Sequence, residues 1–421
     1  MNVLIIGGGG REHAIAWALK KSPKVDLLYA VPGNAGIAEI AEKCFFDVKV
    51  MDFDRILDIV KKYKIDLTVV APDDPLGAGL VDLLNQKGYK AFGPVKEAAR
   101  LEASKSFAKD FMKKYDIPTA KYAVFDDYIG AVKYALSSKH PLVIKADGLA
   151  VGKGVIISQN TRESKEALDL LMRDKKFGAS GDRVVIEEFL QGPEITVLAF
   201  CDGKSITPMA SSQDHKRAFD NDEGLNTGGM GTFSPSRVFT RATAKEFADN
   251  IMIKTVKGLI SEDIIFKGVI YFGLMLTDEG LKVIEYNARF GDPEAQVVLP
   301  RLETDLLDIF NACIDGNLSK LKIEFNNDAC VCVILASGGY PGEFEKGLPI
   351  DIGDIDSDVM LFHSGTAPSK DGKRILTNGG RVLGVTARGK NIEEARKKAY
   401  DNVAKISFKD MRYRTDIGIK K

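Results

Sequence analysis

The sequence predicts a multidomain α/β protein: an N-terminal Rossmann-like domain on a parallel sheet, a two-lobed central body, and a C-terminal α+β domain. Three observations carry this reading. Strand-then-helix units repeat through residues 1–102, the pattern of a parallel sheet. The centre of the chain changes to strand pairs joined by glycine-rich loops, and from residue 326 strands and turns return before a closing helical pattern at 392–406. The 421 residues suit about three domains.

Residues 2–6 form an apolar strand, followed by Gly7-Gly8-Gly9-Gly10 and a helical pattern over 11–20. Free N–H groups at such a helix start favour an anion. Glu12 stands where a dinucleotide fingerprint needs its third glycine, so a single phosphate suits the loop better than a pyrophosphate and a nicotinamide enzyme is disfavoured. Strands at 25–31 and 67–71, with a helix at 54–64 between them, end in Pro32-Gly33-Asn34-Ala35-Gly36 and Pro72-Asp73-Asp74-Pro75. Parallel strands gather ligand loops at their C-terminal ends, which places these turns on one edge.

A helix at 105–114 leads into a smaller unit, where residues 141–155 read as strand, loop, strand. Gly148, Gly152 and Gly154 let backbone N–H groups close over phosphates, and Lys145 adds a point charge from the strand. No Walker A string is present. A second apolar strand, 183–190, ends in acidic residues and Gln191-Gly192-Pro193-Glu194, able to accept hydrogen bonds from an adenine amino group and a ribose. Further on, Gln213-Asp214-His215-Lys216-Arg217 is followed after nine residues by Asn226-Thr227-Gly228-Gly229-Met230-Gly231. His215 suits a positioning role better than that of a general base.

Residues 269–276 and 281–286 form a hairpin around the turn 277–280. Alternation puts Glu285 and Asn287 on one face, as oxygen ligands for Mg²⁺ when phosphates and water complete its shell. Arg289 and Asp292 follow at once.

Composition bounds the partners. Lys plus Arg and Asp plus Glu both number 59, so no net field draws nucleic acid or a membrane surface, and small-molecule substrates are expected. The five cysteines lack C-x-x-C spacing, and Cys330 and Cys332 lie in an apolar run, as buried core rather than metal ligands. With no run of 18 apolar residues and no basic-then-apolar opening segment, a cytoplasmic protein is expected.

Taken together, Lys105, Lys145, the loop 148–154, the acidic strand end 187–194 and Glu285-Tyr286-Asn287 resemble the ATP-grasp ligases. Gly9-Gly10-Arg11-Glu12-His13-Ala14, Pro32 to Gly36, Asp214 to Arg217, Asn226 to Gly231 and Arg289 to Glu294 narrow the resemblance to the glycinamide ribonucleotide synthetase family, in order along the whole chain. It implies an ATP-grasp large lobe at 103–123 and 192–325 and a small lobe, or lid, at 124–191. It implies ligation of glycine to 5-phosphoribosylamine with ATP and Mg²⁺ (or Mn²⁺), through a glycyl phosphate, in purine biosynthesis, by a monomer or weak homodimer. By position, Lys105 and Lys145 would hold ATP phosphates under Gly148, Gly152 and Gly154. Glu187, Glu188, Phe189 and Leu190 would recognise adenine, Glu194 the ribose, and Glu285 with Asn287 the metal. Gly8, Gly9, Gly10, Gly33, Asn34 and Asp73 would cradle phosphoribosylamine. Asp214, Gly229 and Arg289 would sit at the glycine and acyl-phosphate centre, with Lys145, Asp214 and Arg289 as the catalytic set. The family usually has Glu at Asp73 and Pro at Leu225. A different ATP-grasp acyl-phosphate ligase would share the nucleotide residues but not the strings at 214–217 and 226–231. A dead scaffold would show damage at Lys105, Lys145, Glu285, Asn287 or Arg289, all of which are intact.

Overall fold

The computed structural model describes residues 1–149 and 154–419. Strand Asn2–Gly7 is apolar because it is central: it pairs in parallel with Leu27–Pro32 and Leu67–Val70. Lys43–Cys44 and Ala91–Phe92 complete a five-stranded parallel sheet. A strand covered on both faces needs apolar side chains on both. Val3 and Ile5 accordingly join Ala14, Ile15 and Leu19 of helix Gly10–Lys20 in one core. Leu4 and Ile6 join Ile56, Ile59 and Val60 of helix Phe53–Lys62 in another.

The lid is an antiparallel sheet in the order Tyr122–Phe125, Val184–Glu188, Leu142–Ala146, Val155–Ser158. Alternation divides it cleanly. Leu142, Ile144, Ala146, Val184 and Ile186 pack with Ala131, Ala135, Ala167 and Leu168 of its helices, Tyr128–Ser137 and Thr161–Leu168, in a separate small core. The opposite face carries Val143, Lys145, Val155, Ile157 and Glu187 toward the rest of the molecule.

The large lobe is built on a second antiparallel sheet, Ile206–Pro208, Glu194–Asp202, Lys267–Thr277 and Gly280–Asn287. The C-terminal sheet centres on the fully buried strand Ala329–Ala336, which pairs with Gly231–Ser234 and Arg381–Gly389. Val359–His363 and Gln213–Asp214 form its edges, and helix Ile392–Val403 covers one face. Two strands from the expected large lobe, Gln213–Asp214 and Gly231–Ser234, therefore belong by hydrogen bonding to the C-terminal sheet. Cys330 and Cys332 lie in the core, and the five cysteines are free thiols. No helix among the described residues is long and apolar enough to cross a membrane.

The N- and C-terminal units meet at two buried histidines. His13 Nδ1 accepts from the His363 backbone N–H at 2.8 Å, and His363 Nδ1 lies 3.1 Å from Thr366 Oγ1. Burial pushes His13 down to about 3, with His363 adding to the shift, and lowers His363 to about 4. Both rings are neutral in the fold but charge in the unfolded chain below its ordinary 6.5. The unfolded state then binds more protons, so stability falls as pH drops from about 6.5 toward 4, by up to ~1.4 kcal/mol per pH unit for each ring. Thermal midpoints between pH 7.5 and 5 check this: the fall should be shallower in His13→Gln, and an identical slope would exclude His13 as a contributor.

Candidate active site

Between the lid and the large lobe lies a cavity of about 1250 Å³. Its roof is the inward face of the lid sheet, with Val143, Val155 and Ile157 as an apolar ceiling. Its floor is the hairpin carrying Met275, Ile284 and Glu285. Glu188, Phe189 and Leu190 form the wall where the last lid strand leaves for the large lobe.

Lysines enter from both lobes. Helix Lys105–Lys114 starts at Ser104, whose hydroxyl accepts from Phe107 N–H, and the Asp147 carboxylate accepts from Ser106 N–H at 2.6 Å and from its hydroxyl at 2.7 Å. A carboxylate at a helix N-terminus is stabilised by the dipole, and here it ties the lid loop to this helix. The four-residue spacing puts Lys105 and Lys109 on the face toward the cavity. Lys105 Nζ donates to Gly148 O at 2.9 Å. Lys109 and Lys145 each lie 2.8 Å from one oxygen of Glu187, all three being buried. Burial pushes Lys109 down to about 8 against the pull of Glu187. Burial would raise the Glu187 carboxyl, but the two ammonium groups outweigh it and hold it below its usual range. Glu187 thus spends one carboxylate oxygen on each of two lysines. Glu194, expected at a ribose, pairs with Lys216 at 2.8 Å.

Glu285 and Asn287 do share a face: they oppose Gly273 and Tyr271 in the hairpin, with an irregularity after Gly273. Burial disfavours the Glu285 charge, but Lys216, Lys145, Lys105 and Arg289 outweigh it and keep the carboxyl ionised. Among the described residues no group donates a hydrogen bond to that carboxylate, and no cluster of three or more His, Cys, Asp or Glu side chains could hold a metal. An ionised, unpartnered carboxylate beside an amide oxygen fits a hard divalent cation that takes its other ligands from phosphate and water. Asn287 Oδ1 already accepts from Arg289 Nη2 at 2.9 Å and retains a second lone pair.

At the far end Arg289 is held from several sides. Nη2 also lies 2.8 Å from Glu102 Oε1, and Nη1 donates to Phe290 O at 3.1 Å, while the buried Nε has no hydrogen-bond partner among the described residues. Asp214 Oδ1 is likewise buried without a hydrogen-bond partner among the described residues, and burial together with Glu294 pushes this carboxyl well above the usual range. Glu294 Oε1 accepts from Tyr271 OH at 2.9 Å. Arg381, from the C-terminal sheet, donates to Gly228 O at 2.6 Å and to Asp292 O at 2.8 Å, which pins the glycine turn against residues 289–294. A Cβ on Gly229 would stand 2.5 Å from Pro293 Cδ and 2.6 Å from Asp214 Oδ1, at a φ of +113°. Gly229→Ala is therefore expected to cut turnover by ~10²-fold or more with a smaller loss of thermal stability, since the displaced atoms line the site. Unimpaired kinetics would show that the turn tolerates displacement.

The remaining expected residues divide. Asp73 lines the cavity near Glu102 and Arg289. Gly8, Gly9, Gly10, Gly33 and Asn34 come together, with Asn34 Nδ2 donating to Gly8 O at 3.0 Å and to His363 O at 2.7 Å, but they stand outside the cavity lining. The helix start there already carries carboxylates: Glu12 accepts from Gly9 N–H at 2.6 Å and Asp292 from Arg11 N–H at 3.4 Å. Gly148 accepts from Lys105 and Gly154 lines the cavity, while Gly152 lies outside the described residues. Sequence reasoning missed Glu102, Lys109, Glu294 and Arg381. Lys109 had a usable signal in its four-residue spacing from Lys105; Arg381 had none, because only the fold brings it to the glycine turn.

An antiparallel lid and lobe enclosing lysines from both sides over a carboxylate–amide hairpin define an ATP-grasp enzyme. Residues 103–295 match the family model described as phosphoribosylglycinamide synthetase, ATP-grasp (A) domain, residues 1–102 its N domain and residues 330–420 its C domain. The chain belongs to the phosphoribosylglycinamide synthetase family and is an ATP-dependent ligase. It is 47% identical over 417 residues to a phosphoribosylamine–glycine ligase of Caldanaerobacter subterraneus subsp. tengcongensis, covering 99% of both chains. It is 46% identical over 422 residues to one of Neisseria meningitidis serogroup A, covering 100% of this chain and 99% of the other. The crystal structure of phosphoribosylamine–glycine ligase from Thermotoga maritima superposes with a TM-score of 0.83 at 35% identity, over 99% of this chain and 100% of that one. The biotin carboxylase domain of Hydrogenobacter thermophilus 2-oxoglutarate carboxylase shares the fold, at 14% identity and a TM-score of 0.77 over 98% of this chain and 91% of that one.

Proposed function

We propose that this chain ligates glycine to 5-phosphoribosylamine with ATP, giving glycinamide ribonucleotide, ADP and phosphate in purine biosynthesis. One observation carries the reading: a single cavity holds Lys105, Lys145 and the Glu285–Asn287 pair beside Arg289, Asp214 and the glycine turn. The glycine carboxylate attacks the γ-phosphorus and ADP leaves; the sugar amine then attacks the carbonyl carbon of glycyl phosphate and phosphate leaves. Little covalent work falls to the protein, which acts by position and charge.

Lys105 and Lys145 oppose phosphate charge from two lobes. The free Nε of Arg289 offers a donor to the carboxylate, and the unpartnered Oδ1 of Asp214 offers a buried acceptor to the glycine ammonium. The strand end at 188–190 receives adenine under Val143 and Ile157, and Glu194 with Lys216 faces the ribose. Asp73 takes the phosphoribosylamine sugar, with the Gly8 to Gly10 and Gly33-Asn34 loops as the backbone of that end. Glu285 and Asn287 would hold the divalent cation, Mg²⁺ or Mn²⁺, whose chemistry is to neutralise charge on the transferring phosphoryl group. The lid sheet, with Leu149 and Gly154 in the cavity lining, excludes water from the acyl phosphate. A cytoplasmic monomer or weak homodimer accords with this role.

The test is ADP release with divalent metal, ATP, glycine and freshly generated phosphoribosylamine, each omitted in turn, with product mass recorded. ADP formed only with the full set, together with glycinamide ribonucleotide, supports the reading. ADP formed with another carboxylate or amine overturns the substrates while leaving the ATP-grasp chemistry.

A further inference from the structure

We propose that Lys109 is a positioning residue for nucleotide binding: by taking one oxygen of Glu187, it leaves the neighbouring Lys145 with charge to offer a phosphate. The inference rests on the reading above, in which Lys145 meets ATP. Glu187 lies 2.8 Å from each lysine, one to each carboxylate oxygen, and the Lys109, Lys145 and Glu187 side chains are 3%, 5% and 3% exposed. Two cations and one anion so deeply buried leave a net positive charge. A Lys145–Glu187 pair alone would be neutral, and most of its attraction for a phosphate would be cancelled at close range.

The cost of burying that surplus is met by geometry. Lys109 Nζ also donates to Thr119 Oγ1 at 2.8 Å, and that hydroxyl donates to Val283 O at 2.7 Å, two residues before Glu285. Lys109 is therefore anchored to the large lobe, whereas Glu187 and Lys145 stand on lid strands Val184–Glu188 and Leu142–Ala146. All three side chains line the cavity. The same contacts thus fix the placement of Lys145 relative to the Glu285 strand, and Lys145 Nζ lies 3.4 Å from Ile284 O.

A charge role and a merely structural role predict different rescues. In Lys109→Met the triad becomes neutral; in Lys109→Met with Glu187→Gln it returns to a single positive charge, with the glutamine carbonyl still able to accept from Lys145. Affinities for ATP and for adenosine, measured by titration calorimetry on the full chain, separate the cases because adenosine carries no phosphate. Lys109→Met is expected to weaken ATP binding by ~10- to 100-fold with adenosine changed by less than ~2-fold. The double variant is expected to recover ATP binding to within ~5-fold of the parent, a strongly non-additive result. Lys109→Gln serves as a second single variant with the same expected sign. Unchanged ATP affinity in the single variants, equal losses for ATP and adenosine, or a double variant no better than the single would each overturn the inference. A parent protein that does not prefer ATP to adenosine would instead overturn the nucleotide assignment of Lys145.

Discussion

Replacing Glu285 with alanine is expected to reduce ATP turnover by ~10³-fold or more while leaving the fold intact. The carboxylate opposes Gly273 in the hairpin, is kept ionised by four surrounding cations, and accepts no hydrogen bond among the described residues. Its removal therefore orphans no buried donor, and thermal stability should shift little. What disappears is the carboxylate proposed to hold the divalent cation, since the neighbouring strand Lys267–Thr277 contains no Asp or Glu. Apparent metal affinity, read from the metal dependence of ADP release, should weaken in step. Turnover like that of the parent at low metal would sink the assignment.

Arg289→Met should lose activity by ~10²- to 10³-fold and, unlike Glu285→Ala, also lose stability by about 3–5 kcal/mol. Burial raises the Glu102 carboxyl, and Arg289 at 2.8 Å is the main influence opposing that rise. With the guanidinium gone, Glu102 keeps the Ala288 N–H at 2.8 Å but must be buried unpaired or take up a proton. Adding Glu102→Gln should restore most of the stability without restoring turnover, because the lost donor to the substrate carboxylate remains lost. Chemical denaturation and steady-state ADP release on the two variants check both halves. If the double variant regained activity, Arg289 would act only as the counter-ion of Glu102.

The parts legible from sequence are those governed by short-range rules. Strand Asn2–Gly7, helix Lys105–Lys114 and hairpin Lys267–Asn287 follow from apolar runs, periodicity and a turn, and the structure has all three. The same period of two predicted that Glu285 and Asn287 share a face. At the Gly8 to Gly10 loop the fold adds contacts that the local pattern does not record: Glu12, three residues on, and Asp292, far along the chain, accept from N–H groups of the helix start. Glu187 reads as part of an acidic strand end able to accept from a ligand, and its two lysine partners are not visible there because they come from other elements.

Sequence by itself determined which segments form strands and helices, which glycine loops they carry, and the family whose motifs run the length of the chain, because each depends on neighbours within a few residues. Tertiary structure alone decided which charges meet. It placed Arg381 on the Gly228–Gly229 turn, Glu102 against Arg289, and Lys109 with Lys145 on one carboxylate. These pairings join groups from different elements, in the last case from different lobes. No periodicity records them, and their electrostatic consequence exists only once folding has removed the water between them.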